Sequence, residues 1–231
     1  MDRNDLATES AADATVTHLK EVREKIVEAA KAIGRDPHSV ALVAVSKNHS
    51  IDAVRQALSA GQRIFGENRV QEAASKFPQL RAEFPDLVLH LIGPLQTNKV
   101  KDAVALFDVI ETVDRPKLAE KLAEEMQRSG RHPQCYIQVN IGNESQKAGV
   151  APENLSALLT LSRDDYGLPI VGLMCIPPAG QDPTPYFNEM AALAKAHHLP
   201  ILSQGMSGDY PAAIAAGATH VRVGTAIFGE R

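Results

Sequence analysis

The chain has 231 residues, 44% of them apolar, and a formal charge of -4. That length permits one large domain or two small ones. No run reaches the ~18 consecutive apolar residues of a membrane span, the polar start MDRNDLATESAADATVTHLK lacks the apolar region of a signal peptide, and the mild negative charge argues against nucleic acid, which needs a basic face. Cys135 and Cys175 are too few and too far apart for a disulfide framework or a zinc knuckle. They are expected as core residues of a cytoplasmic protein.

Residues 1–12 are expected to be disordered. From Thr15 to Ile33 the apolar positions Val16, Leu19, Val22, Ile26, Ala29 and Ile33 form one helical stripe, and Gly34 stops it. A first strand is expected over Val40 to Val45. Ser50 caps a helix through Ala60, and Gly61 ends it. A second strand, RIFG, precedes a helix through ENRVQEAASKF, which places Glu67 at a helix start. There the dipole alone accounts for a carboxylate. The third strand is LVLHLIG, with TNKVKDAVAL as its helix. The fourth is DVIET, followed by RPKLAEKLAEEMQRSG. The fifth is QCYIQVNI, followed by a longer loop and a helix from Glu153 to Arg163. The sixth is PIVGLMC, with a helix around Pro185 to His198. The seventh is PILSQG, with a short helix around Asp209 to Ala216. THVRVG is the eighth, and TAIFGER closes the chain.

Short apolar strands alternating with helices imply a parallel sheet covered on both faces. Eight such units predict an α/β fold, a single TIM-type (β/α)8 barrel over residues 13–231 with an extra N-terminal helix. The eighth strand lies so near the end that no second domain is expected. An open doubly wound sheet is the alternative, but no GxGxxG or GxxxxGK[ST] motif supports it.

In such a barrel the C-terminal ends of the strands carry the chemistry. Lys47 follows the first strand there. A lysine walled by apolar strands is expected to have a lowered pKa, because desolvation disfavours the ammonium. A neutral amine can condense with an aldehyde. The same position also suits a structural lysine paired with a strand-end carboxylate. SQGMSGDY follows strand seven and RVGT ends strand eight, where barrels of this type frequently bind phosphate. Gly205, Gly208 and Gly224 allow close backbone approach, and Ser207 and Thr225 offer hydroxyls at helix starts. Glycine at ordinary barrel turns would look similar for one loop alone. A phosphorylated aldehyde, pyridoxal 5′-phosphate (PLP), satisfies the lysine and both loops at once. Arg222 shares a strand face with Gly224. It can donate to an unprotonated pyridine nitrogen, which weakens the ring as an electron sink. The other reading is a barrel-interior arginine paired with a carboxylate.

The blocks VAVSKNHS, FGENRVQE, LHLIGPLQTNK, VNIGNESQKAG, GLMCIPP and QGMSGDYPAAIAAGATHVRVGTAIFGER occur in this order. Over Val40 to Arg231 they resemble the pyridoxal phosphate homeostasis proteins. The resemblance implies a barrel like the N-terminal domain of bacterial alanine racemase and a PLP imine on Lys47. It implies phosphate contacts from Ser207, Gly224 and Thr225, with Arg222 facing the pyridine nitrogen. It also places Asn68, His90 and Met206 near the cofactor; for His90 a hydrogen-bonded core histidine is an equal alternative. Where many members have Tyr and Trp, this chain has Arg69 and Leu89. Many also have Met where Gln204 stands; if Ser203 points into the pocket, Gln204 should point away from it.

The resemblance implies a carrier that holds PLP and delivers it to PLP-dependent apoenzymes, without efficient catalysis; without a second domain like the racemase's, a monomer is expected. The alternative is a racemase-like enzyme. A racemase needs a base on each face of its intermediate, and Tyr136, Tyr166, Tyr186 and Tyr210 are poorly placed in the sequence to supply the second one. Lys99 is expected as a solvated charge at a helix start, with a second, basic docking point near the mouth as the alternative, and His197 and His198 as structural residues at a helix end. No residue set has metal-ligand spacing.

Overall fold

A computed structural model describes the backbone of residues 3–230 and the side chains of residues 14–230. The expected disorder of residues 1–12 lies outside the described side chains. Helix α1 spans Arg3–Ala32 and so begins earlier than Thr15. Its buried face carries Leu19, Val22, Ile26 and Ala30, whereas Val16 and Ile33 are 45% and 43% exposed. The expected stripe was therefore too broad. Only its centre meets the barrel, and Ala30 packs closely there because it is small.

Eight parallel strands follow: β1 Ala41–Val45, β2 Ile64–Glu67, β3 Val88–Leu91, β4 Val109–Val113, β5 Gln134–Val139, β6 Ile170–Cys175, β7 Ile201–Ser203 and β8 His220–Val223. They close into a barrel in sequence order, with β8 returning to pair with β1, Val43 opposite Arg222. The TIM-type architecture expected from the alternation is the one observed. Between the strands lie α2 Ile51–Ser59, α3 Val70–Glu83, α4 Val100–Leu106, α5 Pro116–Ser129, α6 Leu155–Thr160, α7 Thr184–Ala196 and α8 Tyr210–Ala215. After β8 comes the single turn α9 Thr225–Phe228. Helix α1 packs against α2, α8 and α9, so an element from the start of the chain covers the β8–β1 seam.

Local signals explain some boundaries. The Ser50 side chain accepts a hydrogen bond from Ala53 N and starts α2. Gly130, left-handed at φ 70°, ends α5. Beyond α1, both α3 and the segment around α6 depart from expectation. Helix α3 runs through Pro78 to Glu83, because packing of Phe77 and Leu80 outweighs the bond that proline removes. The expected helix Glu153 to Arg163 is a 3₁₀ turn, then α6, then a π turn over Leu161–Asp165.

Strand side chains alternate between two environments. Leu42, Ala44, Phe65, Leu89, Leu91, Val221 and Val223 face the helices and form the main core. The barrel interior is different in kind. Val109, Tyr136 and Met174 form a small apolar cluster there. Beside them lie buried His90, Glu111, Ser203 and Arg222. Cys135 and Cys175 are free and buried, as expected, and burial pushes both thiols up to about 12. Among the described residues, no helix is long and apolar enough to cross a membrane.

Candidate functional site

A cleft of about 270 Å³ opens at the C-terminal end of the barrel. Lys47 and Asn68 line it, from the loops after β1 and β2. Met206 and Ser207, from the β7–α8 loop, line it too. Arg222, Gly224 and Thr225 complete the set from β8 and the start of α9. Seven of the eight residues singled out by sequence therefore share one cavity. His49, Ile92 and Ile176 also line it and were missed. His49 stacks on Phe228 with ring centroids 4.9 Å apart, which only the folded barrel brings together.

The eighth residue, His90, does not line the cleft. It sits further down the barrel, with Nδ1 2.6 Å from Glu111 Oε1. Its ring also meets Tyr136 and His220. The core alternative describes this position, because an inward side chain of a short strand reaches the interior layer rather than the rim.

Two loops shape the far wall. Gly205 has φ +91°, and a Cβ there would lie 2.5 Å from Ala213 Cβ. Only glycine lets the loop after β7 turn this tightly over α8. The Ser207 hydroxyl accepts from Gly224 N at 3.3 Å and Ala226 N at 3.5 Å, which ties the two expected phosphate loops together. Met206 N donates instead to Asp209 Oδ1 at 2.6 Å. On the near wall, a Cβ on Gly93 would stand 2.2 Å from the Asn68 carbonyl oxygen, so Gly93 lets the β3 loop press against Asn68.

The floor is a buried polar chain. Arg222 Nη2 donates to Cys175 O at 2.8 Å and Nη1 to Ser203 Oγ at 2.7 Å. Ser203 Oγ donates to Glu111 Oε2 at 2.6 Å. Arg222 lines the cleft and also pairs with a carboxylate, Glu111, at 4.0 Å, as the second of the two readings expects. Burial alone would raise the Glu111 carboxyl. The hydrogen bond and charge of His90, then Arg222 and the Ser203 hydroxyl, outweigh it and hold the group below the usual carboxylate range. Burial lowers His220 to about 4, with Glu111 opposing and the neighbouring His90 and Arg222 assisting. Ser203 points inward and Gln204 outward, where its amide meets Phe187 O.

Glu67 does not start a helix. It is the last residue of β2 and faces outward, bonded to Lys76 Nζ at 2.7 Å. Lys99 lines a neighbouring recess with Arg69 and Arg115 that shares Asn68 with the cleft.

One wall thus presents an amine and the other a hydroxyl with helix-start N–H groups, above a guanidinium floor. These donors fit a phosphorylated aldehyde: the anion meets N–H and O–H donors, and the carbonyl carbon meets an amine.

Residues 17–231 match the family model of the alanine racemase N-terminal domain. The pyridoxal phosphate homeostasis protein of Vibrio cholerae serotype O1 is 41% identical over 224 residues, covering 93% of this chain and 95% of the relative. PipY of Synechococcus elongatus PCC7942, solved with PLP bound, is 42% identical with a TM-score of 0.77, covering 88% of this chain and all of that one. Alanine racemase from Corynebacterium glutamicum is 17% identical with a TM-score of 0.67, covering 95% of this chain and 61% of the racemase, a likeness of fold alone.

Proposed function

The chain belongs to the family of pyridoxal phosphate homeostasis proteins, and from that membership we propose that it binds pyridoxal 5′-phosphate in the cleft above Arg222 and serves its intracellular supply. The observation that carries this reading is the meeting of Lys47 with Ser207, Gly224 and Thr225 in one cavity, although 160 to 178 residues separate them from it in sequence.

When bound, the cofactor supplies an aldehyde carbon open to attack by an amine. Lys47 Nζ is the attacking amine and holds the ligand as an imine, with loss of water. Ser207 and the N–H groups of Gly224 and Thr225 receive the phosphate. Asn68 and Met206 border the ring. Arg222 is held by Cys175 O and Ser203 and presents a donor that stays protonated. It therefore keeps a facing ring nitrogen unprotonated and disfavours carbanion chemistry. That supports a carrier role over efficient catalysis. The relatives at about 40% identity carry the name of homeostasis proteins, which supports the same role. Residues 13–231 act as one barrel domain. The protein works as a cytoplasmic monomer and passes the cofactor to apoenzymes that depend on it.

The test is the absorbance spectrum of purified protein with PLP, before and after borohydride, followed by peptide mapping. An imine band that collapses on reduction and leaves the label on Lys47 supports the reading. No imine after incubation with PLP overturns it.

A further inference from the structure

Lys47 sits in a turn whose two flanks are tied to one ammonium outside the barrel. Lys76, on α3, is only 7% exposed. Its Nζ donates to Ser46 O, just before Lys47, at 3.0 Å and to His49 O, two residues after it, at 3.3 Å. The same Nζ donates to Glu67 Oε1 at 2.7 Å and Glu72 Oε1 at 2.9 Å. Both carboxylates then hold the turn again. Glu67 Oε1 accepts from the Ser46 hydroxyl at 2.7 Å, and Glu72 Oε1 accepts from Asn48 N. Asn48 is left-handed at φ 62°, a conformation few non-glycine residues adopt without support.

These contacts grip Ser46, Asn48 and His49. Such a cluster is expensive to bury, and apolar side chains of similar size would pack α3 on β2 at least as well. The cost is real here. Burial raises the Glu67 carboxyl despite Lys76 and Ser46, and Glu67 Oε2 has no hydrogen-bond partner among the described residues. Packing alone does not account for three charged groups converging on one turn. Fixing a backbone conformation does.

We propose that Lys76 is a positioning residue for Lys47: with Glu67 and Glu72 it clamps the 46–49 turn from behind the barrel wall, so that the Lys47 amine enters the cleft from a fixed backbone. This rests on the cofactor reading above, in which Lys47 forms the imine. Pre-organisation of this kind speeds and tightens reaction with a ligand because less freedom is lost on binding. The clamp uses none of the cleft's own donors.

The test compares the full chain with Lys76→Met. A second variant, Lys76→Met with Glu67→Gln, removes both buried charges in case the first does not fold. Two readouts are needed. The first is amide hydrogen exchange without added cofactor. Asn48 and His49 should exchange about tenfold faster in the variants while the amides of α5 keep their protection. The second is imine formation with PLP across pH, trapped by borohydride. The variants should need about tenfold more PLP for half-maximal labelling of Lys47, with a shifted pH midpoint and unchanged affinity for inorganic phosphate. Unchanged exchange at Asn48, or wild-type labelling and pH midpoint in a folded variant, overturns the proposal. A wild-type chain that forms no imine overturns the cofactor reading and this proposal together. A wild-type imine unaffected by Lys76→Met overturns this proposal alone.

Discussion

Arg222 reaches Glu111 through a third residue: the Ser203 hydroxyl accepts from Nη1 at 2.7 Å and donates to Oε2 at 2.6 Å. The nearest charged atoms of the pair stand 4.0 Å apart. A serine hydroxyl has one proton to give and lone pairs to accept with, so it can join a guanidinium to a carboxylate in only this sense. Its orientation fixes both neighbours.

Ser203→Ala removes that link and leaves a buried carboxylate oxygen and a guanidinium N–H without partners. The expected loss is about 1–3 kcal/mol of stability. Chemical denaturation checks it. An unchanged midpoint would mean that the two charges close on each other without the bridge.

Acid should weaken the fold before it reaches the ordinary carboxylates. His220 titrates at about 4 in the folded protein and near its ordinary 6.5 when unfolded. Between those values the unfolded chain binds the extra proton, so stability rises with pH across this window and is flat above it. The full shift is worth up to about 3 kcal/mol. Denaturation midpoints from pH 4 to 7 measure it. His220→Gln should flatten that slope. A slope that survives the substitution would assign the loss to other groups.

Lys47→Ala should abolish borohydride-trapped labelling by PLP and leave weaker, reversible binding through the loops after β7 and β8. Retained labelling at Lys47's peptide is then impossible. A label appearing on another lysine would show that the cleft admits a second amine.

Ser207→Ala should weaken PLP and inorganic phosphate by the same factor, about fivefold for the loss of one hydrogen bond. Labelling of Lys47 at saturating PLP should be unaffected. Titration of both ligands checks this. A loss confined to PLP would place the phosphate elsewhere.

The barrel was legible in the chain because each strand reads as a short apolar run and several helices have a stop: Gly34, Gly61 and Gly130 mark ends by their left-handed φ. The cleft was legible because its residues lie at strand ends, where sequence order fixes position. His90 was ambiguous because alternation gives a side chain's face but not its depth. Lys76 was invisible for a physical reason. In ENRVQEAASKF it looks like one more charge on a helix. Only folding turns it toward Glu67 and Ser46, and the cost of burying it is met by partners 9 and 30 residues away. Glu111 and Ser203, 92 residues apart, are hidden in the same way. Pair interactions between distant polar residues leave no local period to read.

The seam between β1 and β8 has a consequence for synthesis. Val43 lies opposite Arg222, and the cleft needs Lys47 from one side of that seam and Thr225 from the other. A ribosome makes the chain in one direction. Until the eighth strand has emerged, the first has no partner on one edge and the amine of Lys47 faces no phosphate wall. On the proposed reading, ligand capture waits for the eighth strand, and a chain halted before β8 should hold no PLP.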